Sequence, residues 1–447
     1  MQAKLRITAA AALLLLLAPY SASAAEPTTA SPAPHLQAAP AAAALNSVDL
    51  LNVDAEAADE AGETDLWARI RSGYAINDID NDLVSKHVNW YATRPDYLAR
   101  TSARASRYLY HVVTELEKRG MPTELALLPI IESAFNPQAN SSAAAVGIWQ
   151  FMPATGKDYN LKQNAFKDDR RSVLASTDAA LSYLQRLYNM FGDWQLALAA
   201  YNWGEGNVQK TIRKAQAAGK PTDYESLAHM MPAETRNYVP KLQAVKNIVG
   251  HPEQYNVSLP TIENAAYFTA IDKTSDIDVA VAAQLAEMSV ADFKALNPQF
   301  KRPVIIGGQN TKILLPQENA EKFHSNLASF GKALSSWTTH KIASARTSLA
   351  SLASKFKTTP EVLREANNIP ARTRLKAGST ILVPKLASSN AGDIAENIVE
   401  NAVMALEPER AAKRKAARGK SKFRAKASVS RKSGKRSRSA TNNRKKR

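Results

Sequence analysis

The chain has 447 residues, no cysteine, and 58 Lys+Arg against 41 Asp+Glu, a formal net charge of +17. The excess sits at one end: Arg410 to Arg447 holds 18 of the basic residues and no acidic one, which leaves a body with a net charge of −1. This excludes a globally basic surface, and it excludes disulfides, thiolate metal sites, a Cys nucleophile and a lipidated N-terminal Cys. With 45% hydrophobic residues, a chain of this length is expected to form two or three cores of about 150 residues each.

In chain order, Lys4 and Arg6 precede an apolar stretch from Ile7 to Ala18, and Ala22-Ser23-Ala24 supplies small residues for cleavage. Residues 1–24 are therefore expected to be a signal peptide. The stretch is too short to cross about 30 Å of hydrocarbon, and no later segment is long enough, so the mature chain is expected to be soluble with no integral span. Residues 25–62, rich in Ala, Pro, Ser and Thr and then acidic, read as a flexible spacer. From 63 to 255 the pattern is helical. Leu98, Ala105, Leu109, Val112, Val113 and Leu116 form one stripe that predicts a helix over Tyr97–Lys118. Gly120 ends it and Pro122 opens the next. Further helices are expected at Ser176–Met190, Gln195–Ala200 and Thr235–Val249, making an all-α domain.

Beyond Pro260 two segments resemble each other at an offset of 70: Ala283 with Ala353, Ala286 with Phe356, Phe293 with Leu363 and Asn297 with Asn367. Each reads β-α-α-β, giving two small α+β modules at 265–318 and 338–386. Ile394, Ile398, Ala402 and Leu406 recur at four, so a short amphipathic helix is expected within 387–407. The tail, 408–447, reads as a disordered polycation.

Chemistry concentrates in four stretches of the helical domain. In Leu127-Leu128-Pro129-Ile130-Ile131-Glu132-Ser133-Ala134-Phe135-Asn136-Pro137 one carboxylate ends an apolar helix before an Asn-Pro turn. At such a border desolvation raises a carboxyl pKa, as a general acid needs; by itself the run also fits an exposed helix-terminal Glu. Gly147-Ile148-Trp149-Gln150-Phe151-Met152-Pro153 places an amide between aromatic and thioether groups, although Trp149 and Met152 also suit core filling. Ala200-Tyr201-Asn202-Trp203-Gly204-Glu205-Gly206 puts a phenol, an amide and an indole at a helix end with permissive glycines. Glu234-Thr235-Arg236-Asn237-Tyr238-Val239-Pro240 adds a Tyr at a helix start. Aromatic faces that stack on sugar rings, with amides and phenols that bond hydroxyl and acetamido groups, suit an amino-sugar polymer.

The order Glu132-Ser133, Gly147-Ile148-Trp149-Gln150, Ala200-Tyr201-Asn202 and Tyr238 resembles the motif set of the lytic transglycosylase fold found in goose-type lysozymes and soluble lytic transglycosylases. The repeated segments are similar to LysM domains, which bind N-acetylglucosamine-containing glycans. The resemblance implies a mainly α, lysozyme-like catalytic domain followed by two LysM-like modules, the first degenerate. It implies Glu132 as sole catalytic carboxylate, cleaving between N-acetylmuramic acid and N-acetylglucosamine of peptidoglycan and leaving 1,6-anhydro ends. It assigns Ser133, Gln150, Met152, Tyr201, Asn202 and Tyr238 to substrate binding, and no cofactor. The alternatives are a muramidase that hydrolyses the same bond with water and a non-catalytic peptidoglycan-binding protein.

The chain departs from the resemblance at three places. It lacks the Cys that lipoprotein relatives carry after the signal, Ala143-Ala144-Ala145 stands where relatives often have a glycine, and Lys273-Thr274-Ser275-Asp276 lacks the Gly-Asp-Thr turn that Ala345-Arg346-Thr347 keeps in part. No second Asp or Glu occupies an obvious nucleophile or base position; Asp158, Asp168, Asp169 and Glu205 are the nearest candidates. The seven His include no i, i+4 pair, so no metal site is expected. The expected partners are peptidoglycan strands and, through the tail, anionic envelope polymers; with a signal peptide present no nucleic acid is expected. The expected location is the periplasm or envelope of a Gram-negative bacterium.

Overall fold

The computed structural model describes residues 64–408, apart from 274, 307–310, 345–346 and 387–391. The expected signal peptide and spacer, and all but the first residue of the expected tail, lie outside the described residues. From 64 to 255 the described elements are helices with isolated bridges and no strand.

The first helices begin where side chains can satisfy free amides. Asp65 accepts from the Trp67 amide to open α1 (Leu66–Ser72), and Asn81 accepts from Leu83 and Val84 to open α2 (Asp82–Ala92). Pro95 starts α3 (Pro95–Ala105), and α4 (Leu109–Lys118) follows. The continuous helix expected over Tyr97–Lys118 is thus broken at 106–108. Tyr108 leaves helical geometry at φ −130°, and its hydroxyl donates to the Ala295 carbonyl at 2.9 Å. That long-range anchor outweighs the local pattern, yet the predicted stripe is buried on both halves.

After a 3₁₀ turn at Thr123–Leu127 comes α5 (Leu128–Ser133), then α6 (Pro153–Asp158), a 3₁₀ turn at Asp169–Arg171, α7 (Val173–Phe191), α8 (Trp194–Trp203), α9 (Glu205–Ala217), α10 (Tyr224–Ala228) and α11 (Ala233–Gly250). Helix α11 packs on α2 and α8, and α8 on α7, around one core. Pro240 lies inside α11 and cannot donate to the Arg236 carbonyl one turn back. The buried Tyr224 hydroxyl from α10 fills that gap at 3.0 Å, so the helix carries a proline without an orphaned acceptor.

Module 1 comprises β1 (Phe268–Asp272), β2 (Ile277–Asp278), α12 (Val279–Leu285), α13 (Val290–Leu296), β3 (Val304–Ile305), β4 (Lys312–Pro316) and α14 (Gln317–Ser329). Module 2 comprises β5 (Trp337–Lys341), α15 (Leu349–Lys355), α16 (Pro360–Asn367), β6 (Thr373–Leu375) and β7 (Thr380–Pro384). In each, the first strand runs antiparallel to the last: Phe268 faces Pro316 in one, Trp337 faces Pro384 in the other. The β-α-α-β order read from the repeat is present, with short additional strands and, in module 1, α14 beyond the expected boundary at 318.

The repeat has a physical core. Asn297 ends α13, donates to the carbonyls of Phe293 at 3.0 Å and Leu314 at 2.8 Å, and accepts from the Leu314 amide at 2.9 Å. Asn367 does the same at the end of α16, with Leu363 at 2.9 Å, Leu382 at 2.8 Å and the Leu382 amide at 2.7 Å. Each Asn locks its second helix to the last strand.

The segment after module 2 differs from expectation. The helix is only α17 (Glu396–Glu400); Ile394 and Val399 are buried while Ile398 is exposed. Leu406 belongs to β8 (Leu406–Pro408), which pairs with β6. The four-residue repetition fails because the unpaired edge of β6 captures Leu406 in extended form. Phe166, Val304, Ile306, Leu382, Ile394 and Val399 join in one small apolar cluster, so the catalytic domain, both modules and this segment share a seam. The Lys162 amine also reaches Glu396 at 3.3 Å and Glu400 at 3.1 Å.

Candidate active site

Helix α5 is short because the chain behind it turns left-handed: Ala134 has φ 51° and Phe135 φ 52°. Two such residues in succession are strained for side-chain-bearing amino acids, and the fully buried Phe135 ring holds them in place. The turn leaves Glu132 at the end of an apolar helix, half-buried.

Tyr238, on the first turns of α11, donates its hydroxyl to Glu132 Oε1 at 2.5 Å. Burial pushes the Glu132 carboxyl up to about 7. The Tyr238 hydrogen bond opposes that rise, the negative charge of Glu234 adds to it, and Lys241 opposes it. The Tyr238 and Tyr201 hydroxyls are raised well above their usual range, first by burial and then by the Glu132 charge, so both remain protonated donors.

The other predicted residues form a scaffold around this centre. Tyr201 donates to the Trp149 carbonyl at 2.9 Å, and Trp149 is fully buried with its indole N–H on Thr177 at 3.0 Å. Ser133 donates to the Ile148 carbonyl at 2.9 Å, tying the end of α5 to the same loop. Gln150, at φ 49°, folds its amide back onto the Gly147 carbonyl at 2.8 Å. Gly147 has φ +82°, and a Cβ there would lie 2.2 Å from the Arg170 carbonyl oxygen, so only glycine fits. Asn202 accepts from Thr235 at 2.8 Å. Met152 is 42% exposed and takes no part in these contacts. The structure therefore joins Glu132 to Tyr238 directly and gathers Tyr201, Ser133, Gln150 and Asn202 in the surrounding loops and helix ends.

Of the four candidate carboxylates, Asp158 is exposed and the other three are engaged elsewhere. Asp168 is gripped by Arg170 at 2.9 and 2.8 Å, Asp169 pairs with Lys167 at 3.1 Å, and Glu205 with Arg186 at 2.7 Å and Tyr183 at 3.1 Å. Glu124, eight positions before Glu132, is fully buried and accepts from the Ile76 amide at 2.7 Å. Glu234 is the carboxylate that sequence reading overlooked. It stands four residues before Tyr238 on α11, a spacing that puts both on one helix face. Thr235, which holds Asn202, and Lys241 were equally readable from that helix.

A groove of about 690 Å³ lies beside this centre and is lined by Ile131, the residue before Glu132, and Lys241, but not by Glu132 or Tyr238. Trp90, Tyr91, Arg94 and Tyr97 also line it. Arg94 lies over the Trp90 ring at 4.5 Å, and Tyr97 meets Trp90 edge-on at 5.2 Å. These aromatic residues were missed; the closeness of Trp90, Tyr91 and Tyr97 in sequence was the available signal. Among the described residues no three His, Asp or Glu gather as metal ligands, and no helix is long and apolar enough to cross a membrane.

Three family models match: the transglycosylase SLT domain over residues 112–223, the LysM-like domain of lytic transglycosylase MltD over 267–332, and the LysM domain over 348–384. Membrane-bound lytic murein transglycosylase D of Escherichia coli (strain K12) is 36% identical over 349 residues, spanning 75% of this chain and 76% of the relative. The chain belongs to the lytic murein transglycosylases. Membrane-bound lytic murein transglycosylase C of Edwardsiella ictaluri is 30% identical, over 41% of this chain and 59% of that one. The solved 70 kDa soluble lytic transglycosylase of Escherichia coli has 21% identity and a TM-score of 0.28, and the match covers 46% of this transglycosylase and 34% of that chain. The helical domain of this transglycosylase followed by LysM modules agrees with the fold class read from the sequence.

Proposed function

We propose that the protein cleaves the β-1,4 bond between N-acetylmuramic acid and N-acetylglucosamine in peptidoglycan and leaves 1,6-anhydro ends. The observation that carries this reading is Glu132 itself: a carboxyl raised to about 7 by burial, hydrogen-bonded by Tyr238. Such a group holds a proton near neutral pH and can also release it. In the first step Glu132 gives its proton to the glycosidic oxygen as the C1–O bond breaks. The neighbouring acetamido oxygen bonds to C1 and forms an oxazolinium. Glu132, now a carboxylate, takes the proton of the C6 hydroxyl as O6 attacks C1 and displaces the acetamido oxygen. No water is consumed, and one carboxylate suffices. Tyr238 steadies the anionic phase, while Tyr201, Ser133, Gln150, Met152 and Asn202 hold the glycan and the loops around it. The aromatic groove at Trp90 and Tyr97 supplies stacking faces for neighbouring sugars, and the LysM modules hold the wall strand.

Glu234 supports a second reading, hydrolysis with a water activated by a second carboxylate, because its charge reaches Glu132. Digestion of purified sacculi followed by mass spectrometry of the muropeptides separates the two. Anhydro ends are expected from the intact enzyme and no turnover from Glu132→Gln with sacculus binding retained; free reducing ends would favour the hydrolase. The signal-peptide pattern at 1–24 and the murein substrate support a location in the periplasm or envelope of a Gram-negative bacterium, with the basic tail as an accessory for anionic envelope polymers.

A further inference from the structure

A second cavity, of about 660 Å³, opens where the catalytic domain meets both modules. Arg171 lines it from the catalytic domain, Lys294 and Arg302 from module 1, and Trp337 and Val362 from module 2. Two acidic residues share the wall, Asp168 and Glu365, and both Asp168 oxygens are already held by Arg170. Glu365 stays an exposed carboxylate beside Val362, but Arg171, Lys294, Lys301 and Arg302 outnumber it, so the lining carries a net positive charge. Arg302 is the informative residue. It is only 7% exposed, and its Nε donates to the Ala165 carbonyl at 2.7 Å, but its NH1 group is buried without a partner. The part of this guanidinium that lines the cavity has no carboxylate partner, and an oxyanion is the group that would match its charge. Burial alone lowers the Arg302 pKa, with no carboxylate acting against it. Lys294 stands exposed at the rim, and Val362 is 39% exposed, so the site is open to a ligand.

We propose that this cavity is a second binding site of the enzyme, for a carboxylate on the peptide stems of the wall polymer. Arg302 and Lys294 serve as its anion partners, and Trp337 and Val362 as its apolar wall. The inference rests on the wall-polymer reading above and adds a ligand class to it: sugar hydroxyls and acetamido groups bring no charge to pair with these cations, whereas peptide stems bring carboxylates. The site couples recognition of peptide-bearing strands to the seam that joins the modules to the catalytic domain.

The full chain carrying Glu132→Gln, which removes turnover, is titrated calorimetrically with soluble glycan strands that retain their peptides. The same strands with their stem carboxylates converted to primary amides, and inorganic phosphate, form the other arms. Strands with free stem carboxylates are expected to bind about tenfold tighter than amidated ones, the scale of one charge-assisted contact. Adding Lys294→Glu or Arg302→Gln is expected to abolish that preference while the affinity for amidated strands stays unchanged. Lys294→Glu is the cleaner variant, since Arg302 also holds Ala165 and its loss can loosen the seam. Equal affinities for both strands, or a preference that survives Lys294→Glu, overturns the proposal. Binding of inorganic phosphate as tight as that of peptide-bearing strands assigns the cavity to free anions and overturns it as well. The catalytic reading fails separately, through the products released from sacculi by the chain with Glu132 intact.

Discussion

Glu132, the proposed catalytic acid, is held in a setting that resists its ionisation. Its carboxyl is raised from 4.5 to about 7. Below 4.5 the folded and unfolded chains both carry the proton. Between there and 7 the folded chain holds more of it, so stability falls as pH rises, and the cost is complete above about pH 7. Partial exposure keeps that cost to about 2 kcal/mol or less. Glu132→Gln is therefore expected to raise the melting temperature of the catalytic domain at pH 8 and to leave it almost unchanged at pH 4, as differential scanning calorimetry at the two pH values reports. Tyr238 acts on the same carboxyl in the opposite direction, since its hydrogen bond favours the anion. With Tyr238→Phe the alkaline limb of the pH–rate profile should move upward by about one pH unit and kcat should fall. An unchanged limb would detach Tyr238 from the titration of Glu132.

At the scale of elements, the two modules show what a repeat preserves. Asn297 and Asn367 each close three buried hydrogen bonds, two of them from a helix end to a strand. Asn367→Ala leaves the Leu382 amide and carbonyl unmatched and is expected to destabilise module 2 by about 2–4 kcal/mol. Hydrogen exchange at Leu382 should quicken while α7 and α11 stay protected; uniform protection would contradict the clamp. These asparagines were legible because the offset of 70 aligned them, and the four catalytic stretches were legible because each joins an unusual side chain to a turn or a helix end. What sequence concealed was long-range. The break at Tyr108 depends on Ala295, the strand at Leu406 on the free edge of β6, and the effect of Glu234 on where α11 lies beside α5. Helical periodicity carries no information about a partner nearly 190 residues away. The glycine that relatives often place at 143–145 also has a physical meaning here: Ala144 has φ 66°, and Arg170 secures its carbonyl at 3.0 Å.

At the scale of the whole molecule, charge and architecture divide the work. Residues 410–447 hold 18 basic side chains, while the rest of the chain has a net charge of −1. Removing everything after residue 409 is expected to weaken adsorption to anionic envelope vesicles at about 20 mM salt and to change little at about 500 mM, where screening is short-ranged. Equal adsorption of both chains at low salt would deny the tail that role. The modules are fixed to the catalytic domain by more than a tether. The Asp168 amide meets the Gln299 carbonyl at 3.0 Å, the Lys301 amide meets Phe166 at 2.8 Å, and the Ser336 hydroxyl meets Asp278 at 2.6 Å.

With the roles proposed for Glu132 and the modules, that seam turns the molecule into a ruler. Were the modules swinging on a linker, a strand gripped by them would meet Glu132 at any of many positions. With the grip and the scissile centre on one frame, the number of sugars between them is a geometric constant of the fold. Fragment lengths from a long, uncrosslinked strand then record a distance inside the protein, and loosening Phe166 or Val304 in the shared apolar cluster would blur the spacing of the fragments before it slowed the cut.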